Sequence, residues 1–338
     1  MTMRTPPAVL DAMHSAFLAR AIYLLVDLGV PDRLGGGPRS AADLAAELRV
    51  RPVPLHQVLR AVATTGLLRT EADQRFALTD TGRALQRGHP SGTREMVLTM
   101  QGELFWNALE VLPQRIADER TGPEIAYGRP FFALMAQRPR DAARFNRMMI
   151  ATHGDEPAAV AEAYDFARVE RLVDVGGGIG TVLLEVLARH PHLRGALLDL
   201  PEVTGHARRH LADAGFADRC EVIAGDFFES VPTGADAYLL SRVLHDWDDD
   251  TCVRILRTCA RAMTARSRLL VVEKVLPAGD EPHLGKRLDL IMLALTRGRE
   301  RTAAEYEDLL SRAGLRVVRC IGTRSASSVV EAVLDGSG

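Results

Sequence analysis

Leu172-Val173-Asp174-Val175-Gly176-Gly177-Gly178-Ile179-Gly180, followed by the apolar-periodic run Thr181 to Arg189, decides the fold. An apolar β-branched run ending in an acid, then alternating glycines, then helical spacing predicts strand, tight turn and helix, the opening of a βαβ unit. The turn needs residues that tolerate positive φ and let a ligand approach the backbone closely, and glycine does both. A nucleotide-like ligand is expected to cross it.

The dinucleotide fingerprint G-x-G-x-x-G asks for a small third residue after Gly176 and Gly178, where Thr181 stands instead. What the stretch does match is acid-x-G-x-G-x-G, through Asp174, Gly176, Gly178 and Gly180. That pattern resembles the first motif of S-adenosylmethionine (SAM) dependent methyltransferases. A second apolar run, Leu193 to Leu198, ends in Asp199 about 20 residues past the glycines, where an acid can accept both ribose hydroxyl hydrogen bonds. A third strand, Cys220 to Ala224, runs into Gly225-Asp226-Phe227-Phe228, offering an acceptor for an adenine amino group and an aromatic face.

The chain has 338 residues, 47% hydrophobic and 25% charged, long enough for two domains. A net charge of −2 gives no electrostatic reason to expect nucleic acid. The four cysteines, Cys220, Cys252, Cys259 and Cys320, form no C-x-x-C pair and read as buried thiols in a reducing compartment. Met1 to Val9 carries no apolar core behind a positive segment, and no uninterrupted apolar stretch reaches membrane-spanning length, so a cytoplasmic protein is expected.

Apolar residues recur at helical spacing from Ala8 until Gly29 and Pro31 stop the run. Ser40 caps a short helix, Pro54 opens another over Leu55 to Thr65, and Gly66 to Arg69 with Arg75 to Leu78 predict a hairpin. That is a winged-helix shape, and winged helices often read DNA. Here the second helix offers only His56, Gln57 and Arg60 as readers, so a dimerisation platform is the preferred reading and a SAM-sensing DNA-binding regulator a distant alternative.

Residues 94–151 predict several helices rich in methionine and aromatic side chains. Most serve packing, and a minority, expected to include Met100, Trp106, Phe132 and Met149, line an adaptable pocket for a flat substrate. A fourth strand, Ala235 to Leu240, leads into Ser241-Arg242-Val243-Leu244-His245-Asp246-Trp247. Ligands of open α/β sheets sit beyond the carboxyl ends of the strands, which places His245 beside the cofactor site as a candidate proton acceptor.

Asp174 to Gly180, Leu198-Asp199-Leu200-Pro201, Gly225 to Phe228, Val243 to Trp247, Val272-Glu273 and Arg299-Glu300-Arg301-Thr302, in this order, resemble the plant caffeic-acid-type O-methyltransferase family and its bacterial relatives in aromatic polyketide and antibiotic biosynthesis. The likeness covers nearly the whole chain. It implies an α/β fold: a Rossmann-like class I methyltransferase domain at 166–338, with a seven-stranded, mainly parallel sheet, behind an all-helical, winged-helix dimerisation domain at 1–93. A helical linker at 94–165 contributes to the substrate pocket. Val317 to Cys320 and Ser328 to Val333 are the expected last strands, the final one antiparallel.

The resemblance further implies that His245 is the general base with Glu273 and Glu300 flanking it, and that no metal takes part. SAM contacts are expected from His153, Asp174, Gly176, Gly178, Asp199, Leu200, Gly225, Asp226, Phe227, Ser241 and Arg242. Substrate contacts are expected from Met100, Trp106, Phe132, Met149, Asp246, Met292 and Thr296. Two positions depart from the plant pattern: Ser241 replaces a lysine, and His153 replaces a serine four residues after the clamping Met149. The expected reaction is methylation of an aromatic hydroxyl, with N-methylation or a SAM-binding enzyme of other chemistry as the alternative. Arg297 or Arg299 facing an acidic substrate group is a further option, and the acceptor itself is not legible.

Overall fold

The computed structural model describes residues 6–336, so the outermost residues of the two expected end domains, 1–5 and 337–338, lie outside the described residues. The chain divides into two compact units, one formed by the chain up to Pro113 with Pro123–Gly154, the other by Gln114–Gly122 with everything from Asp155. The segment expected as one linker, 94–165, is therefore shared between them. Its helices Thr93–Met100, Glu103–Glu110, Phe131–Gln137 and Pro139–His153 belong to the first unit, while Glu156–Ala163 belongs to the second.

In the first unit, the helix Pro7–Asp27 is stopped by Gly29, whose φ of 72° only glycine adopts without strain. Ser40 accepts from the Asp43 amide and caps Ala41–Leu48, and Pro52 opens Pro52–Ala63 at its first turn. A hairpin of β1 (Leu68–Thr70) and β2 (Phe76–Leu78) follows. Leu44, Leu55, Leu59, Val62 and Phe76 are buried together, which completes the expected winged-helix core.

Pro7–Asp27 is, by length and composition, apolar enough to cross a membrane, although Asp11 and Arg20 interrupt it, so that no uninterrupted apolar stretch of that length is present in it. Much of its apolar surface is uncovered, Met13 being 57% and Phe17 72% exposed.

The second unit is a seven-stranded sheet in the order β5-β4-β3-β6-β7-β9-β8. β3 (Arg171–Val175), β4 (Arg194–Asp199), β5 (Cys220–Ala224), β6 (Ala237–Ser241) and β7 (Arg268–Glu273) run parallel, and β9 (Ser328–Leu334) enters antiparallel between β7 and β8 (Leu315–Gly322). Continuous apolar runs are what a sheet covered on both faces requires. Val173, Tyr238, Leu240 and Val271 pack with the helices Asp249–Ala262 and Ala303–Arg312. Leu172, Leu197, Leu239 and Val272 pack on the opposite face with Glu156–Ala163, Thr181–Arg189 and Pro201–Asp213. All parallel strands therefore deliver their carboxyl ends, and the loops after them, to one edge.

The thiols follow this layering. Cys220, Cys252 and Cys259 are buried and free, whereas Cys320, expected to be buried, is exposed because β8 is the edge strand.

Candidate active site

The turn after β3 is built from left-handed glycines: Gly176, Gly178 and Gly180 have φ of 69°, 60° and 81°. Gly180 sits at the N-cap of Thr181–Arg189 and closes the turn through its amide on the Gly177 carbonyl at 2.8 Å. Asp199, at the tip of β4, accepts from the Gly178 amide with Oδ2 at 2.8 Å and from the Leu200 amide with Oδ1 at 2.7 Å. Both carboxylate oxygens thus keep a lone pair for a further donor. Asp174 is buried under the turn and its Oδ1 has no partner. Burial, with the Asp199 charge nearby, pushes its carboxyl up to about 7.

The tips of β5 and β6 complete this edge. Asp226 accepts from the Phe228 amide at 2.8 Å, and the Phe227 ring lies 3.3 Å from where a Gly176 Cβ would stand. Phe227 and Phe228 are tilted against each other with ring centres 4.8 Å apart, and Trp247 stands edge-on to Phe228. Gly225 donates to the Asp199 carbonyl at 3.0 Å, and Leu200 is exposed at the tip of β4. Ser241 ends β6, and Arg242 after it adopts φ of 57°, a conformation that strains a residue with a Cβ, with its Nε buried and unpartnered. A cradle of left-handed glycines, an orphaned buried carboxylate oxygen, free acceptors at two strand tips and an aromatic face suit a nucleoside with a charged amino-acid tail, as SAM has.

His245 stands in the short turn Leu244–Asp246 after β6 and is buried. Its Nδ1 lies 2.8 Å from Glu273 Oε2. Glu273, the last residue of β7, also accepts the amides of Leu244 (2.9 Å) and His245 (3.3 Å) on Oε1. Glu300 Oε1 is 3.9 Å from the same Nδ1, too far for a hydrogen bond, and its Oε2 is buried without a partner. Only Glu273, of the two expected flanking acids, therefore fixes the ring. Nε2 is left 3.7 Å from Asp246 Oδ1.

Charge sets the titration of this cluster. Burial opposes the imidazolium, yet Glu273, Asp246 and Glu300 together outweigh it and hold His245 up at about 9. Burial also pushes Glu300 up to about 7, while His245 draws Glu273 below its ordinary range against the effect of burial. Lys274, buried 3.6 Å from Glu156, adds a positive charge behind the acids. His245, Glu273 and Glu300 bring ligand-capable atoms within 4.8 Å of one another, a spacing that could hold a metal ion; the sequence had suggested no such cluster because Glu273 and Glu300 lie far apart along the chain.

Met292 and Thr296 lie in the second unit, where the Thr296 hydroxyl donates to the Met292 carbonyl at 3.1 Å and accepts from the Gly298 amide at 3.1 Å. Met100, Trp106, Phe132, Met149 and His153 belong to the first unit. Trp106 lies under the Arg20 guanidinium, 4.6 Å from its ring centre, and Phe132 packs edge-on to Phe131. A cavity of about 280 Å³ in that unit uses other faces of the same helices, with Phe105, Met135 and Phe145 on its wall. Arg299 is engaged by Asp249 at 3.0 Å and by Glu305. Two further positions press on the His245 turn from far along the chain and carry no signal in their own spacing, Gly298 and Arg301, although Arg301 stands inside the Arg299-Glu300-Arg301-Thr302 motif.

Known proteins are similar to this chain in sequence and in fold. Residues 10–88 match the family model of the O-methyltransferase dimerisation domain, and residues 110–316 that of the O-methyltransferase domain. The phenazine O-methyltransferase PhzM of Lysobacter antibioticus is 36% identical over 324 residues, 96% of this chain and 95% of its own. The mitomycin biosynthesis 6-O-methyltransferase of Streptomyces lavendulae is 40% identical over 314 residues, 92% of this chain and 89% of its own. The solved structure of NcsB1 from neocarzinostatin biosynthesis, in complex with SAM and 2-hydroxy-5-methyl naphthoic acid, is similar at a TM-score of 0.81 and 33% identity over 94% of this chain and 95% of that one. With both domains matched and the strand-tip cradle in place, the chain belongs to the O-methyltransferase family and is an enzyme that uses SAM.

Proposed function

We propose that the protein methylates a hydroxyl group on a flat aromatic small molecule of secondary metabolism, with His245 as general base. The observation that carries this reading is the buried contact of His245 Nδ1 with Glu273, which fixes the tautomer and leaves Nε2 as the one ring nitrogen able to take a proton. The names of its relatives, which act in phenazine, mitomycin and neocarzinostatin chemistry, support an aromatic acceptor.

SAM, when bound, supplies a methyl group on a sulfonium, and the rest is the work of this chain. Asp199 holds the ribose side, Asp226 and Phe227 the adenine, and the Gly176 to Gly180 turn the amino-acid end, where Asp174 Oδ1 awaits a donor. A phenol with an ordinary pKa of about 10 is a weak nucleophile near neutrality. His245 Nε2 accepts its proton as the oxygen attacks, and Glu273 stabilises the imidazolium that results. Glu273 already accepts three protein N–H groups, so its chemistry suits proton transfer rather than metal ligation. The uncovered apolar face of Pro7–Asp27, within the dimerisation domain, supports a homodimer.

Asp199→Ala should weaken S-adenosylhomocysteine (SAH) binding about tenfold or more in calorimetric titration, as loss of charge-assisted hydrogen bonds requires; unchanged affinity would move the ribose elsewhere. His245→Ala should keep SAH affinity and lose turnover by about 10²-fold or more in a mass-spectrometric screen of phenolic acceptors; full turnover would remove His245 from the chemistry.

Since the base must be neutral to act and is held up at about 9, kcat/KM should rise with pH and level off near that value, with an acceptor whose hydroxyl stays protonated over the range. A profile flat from neutrality upward would contradict this. Light scattering should return twice the chain mass of 36.9 kDa, and a monomer at micromolar concentration would exclude the dimer.

A further inference from the structure

Arg301 takes no part in the chemistry proposed above, yet it is the largest fully buried side chain among the described residues. Every one of its N–H donors is engaged. Nη1 donates to the carbonyls of Leu244 (3.0 Å) and Arg299 (3.1 Å). Nη2 donates to the Trp247 carbonyl (2.8 Å) and to Asp249 Oδ1 (2.7 Å), which also accepts from Nε at 3.0 Å.

Two of these acceptors, Leu244 and Trp247, bracket His245 in sequence. The turn is thus gripped from two sides: Glu273 takes its amides and Arg301 its carbonyls. Gly298 closes a third side, since a Cβ there would fall 1.9 Å from the His245 carbonyl oxygen and 2.5 Å from the Trp247 amide. The backbone of Arg301 is itself fixed, its carbonyl accepting from the Leu276 amide at 2.8 Å, three residues beyond Glu273.

An ion pair with Asp249 alone would be satisfied at the surface. Desolvating a guanidinium entirely is unfavourable, and what the interior adds is the hold on main-chain carbonyls of one turn. We propose that Arg301 is a positioning residue for methyl transfer: its buried guanidinium, anchored by Asp249, holds the Leu244 and Trp247 carbonyls and so sets where His245 Nε2 points. The inference rests on the reading of His245 as general base.

The test uses the full chain with Arg301→Lys, Asp249→Asn and, as reference, His245→Ala. SAH calorimetry counts folded cofactor sites, and kcat is expressed per SAH-binding site with the phenolic acceptor that the wild-type protein methylates. A lysine offers a point charge in place of the fork. Arg301→Lys should therefore lower kcat per site about 20-fold or more with KM values within about twofold, since displacement by an ångström can cost about 10²-fold. Asp249→Asn should lower it in the same direction by about threefold or more, through loss of the anchor.

Proton NMR gives a readout independent of any acceptor. The low-field Nδ1–H resonance of the His245–Glu273 contact, assigned by its absence in His245→Ala, should shift or vanish in Arg301→Lys. If Arg301→Lys binds no SAH, Asp249→Asn decides. A merely structural arginine would lower the number of SAH sites while leaving kcat per site and the resonance unchanged in both variants, and that result overturns the proposal. Full turnover in His245→Ala would overturn the general-base reading instead, so the two failures are distinguishable.

Discussion

A carboxylate with no exposed surface, Glu273 at the end of β7, is the constraint on which the active centre depends. Left unpaired, such a group would be strongly destabilising, so the fold supplies it with the Leu244 and His245 amides and the His245 ring. Satisfying that one acid also fixes the conformation of the turn after β6 and the tautomer of its histidine. Electrostatics then follow from placement: three acids around one imidazole hold its proton on more tightly than water would.

The parallel sheet explains why these residues meet at all. β3, β4, β5, β6 and β7 lie side by side and point the same way, so Gly176, Asp199, Gly225, Ser241 and Glu273, remote in sequence, arrive at a common edge. Helices pack on both faces behind that edge, and the loops beyond it bring the candidate base and cofactor residues together.

Much of this was legible in the sequence because it is written locally. The glycine turn, the acids ending β4 and β7 and the apolar runs of the strands each announce themselves within a few residues. What escaped depends on contacts across long separations. Whether Glu273 or Glu300 touches the His245 ring is a matter of 2.8 against 3.9 Å, which no spacing encodes. Gly298 looks like an ordinary loop glycine until the His245 carbonyl is seen against it. The exposure of Cys320 required knowing that β9 inserts beside β7 and leaves β8 at the edge. The division of the 94–165 helices between two units likewise reflects packing across long separations, which their order along the chain does not encode.

The edge position of β8 has a practical side. Burial pushes the thiols of Cys220, Cys252 and Cys259 up to about 12, so near neutrality they are both shielded and unreactive. Cys320 alone faces solvent. The native chain therefore offers a single attachment point for an alkylating spin label, and in a two-copy assembly the pair of labels becomes a ruler between subunits, obtained without altering any residue of the sequence.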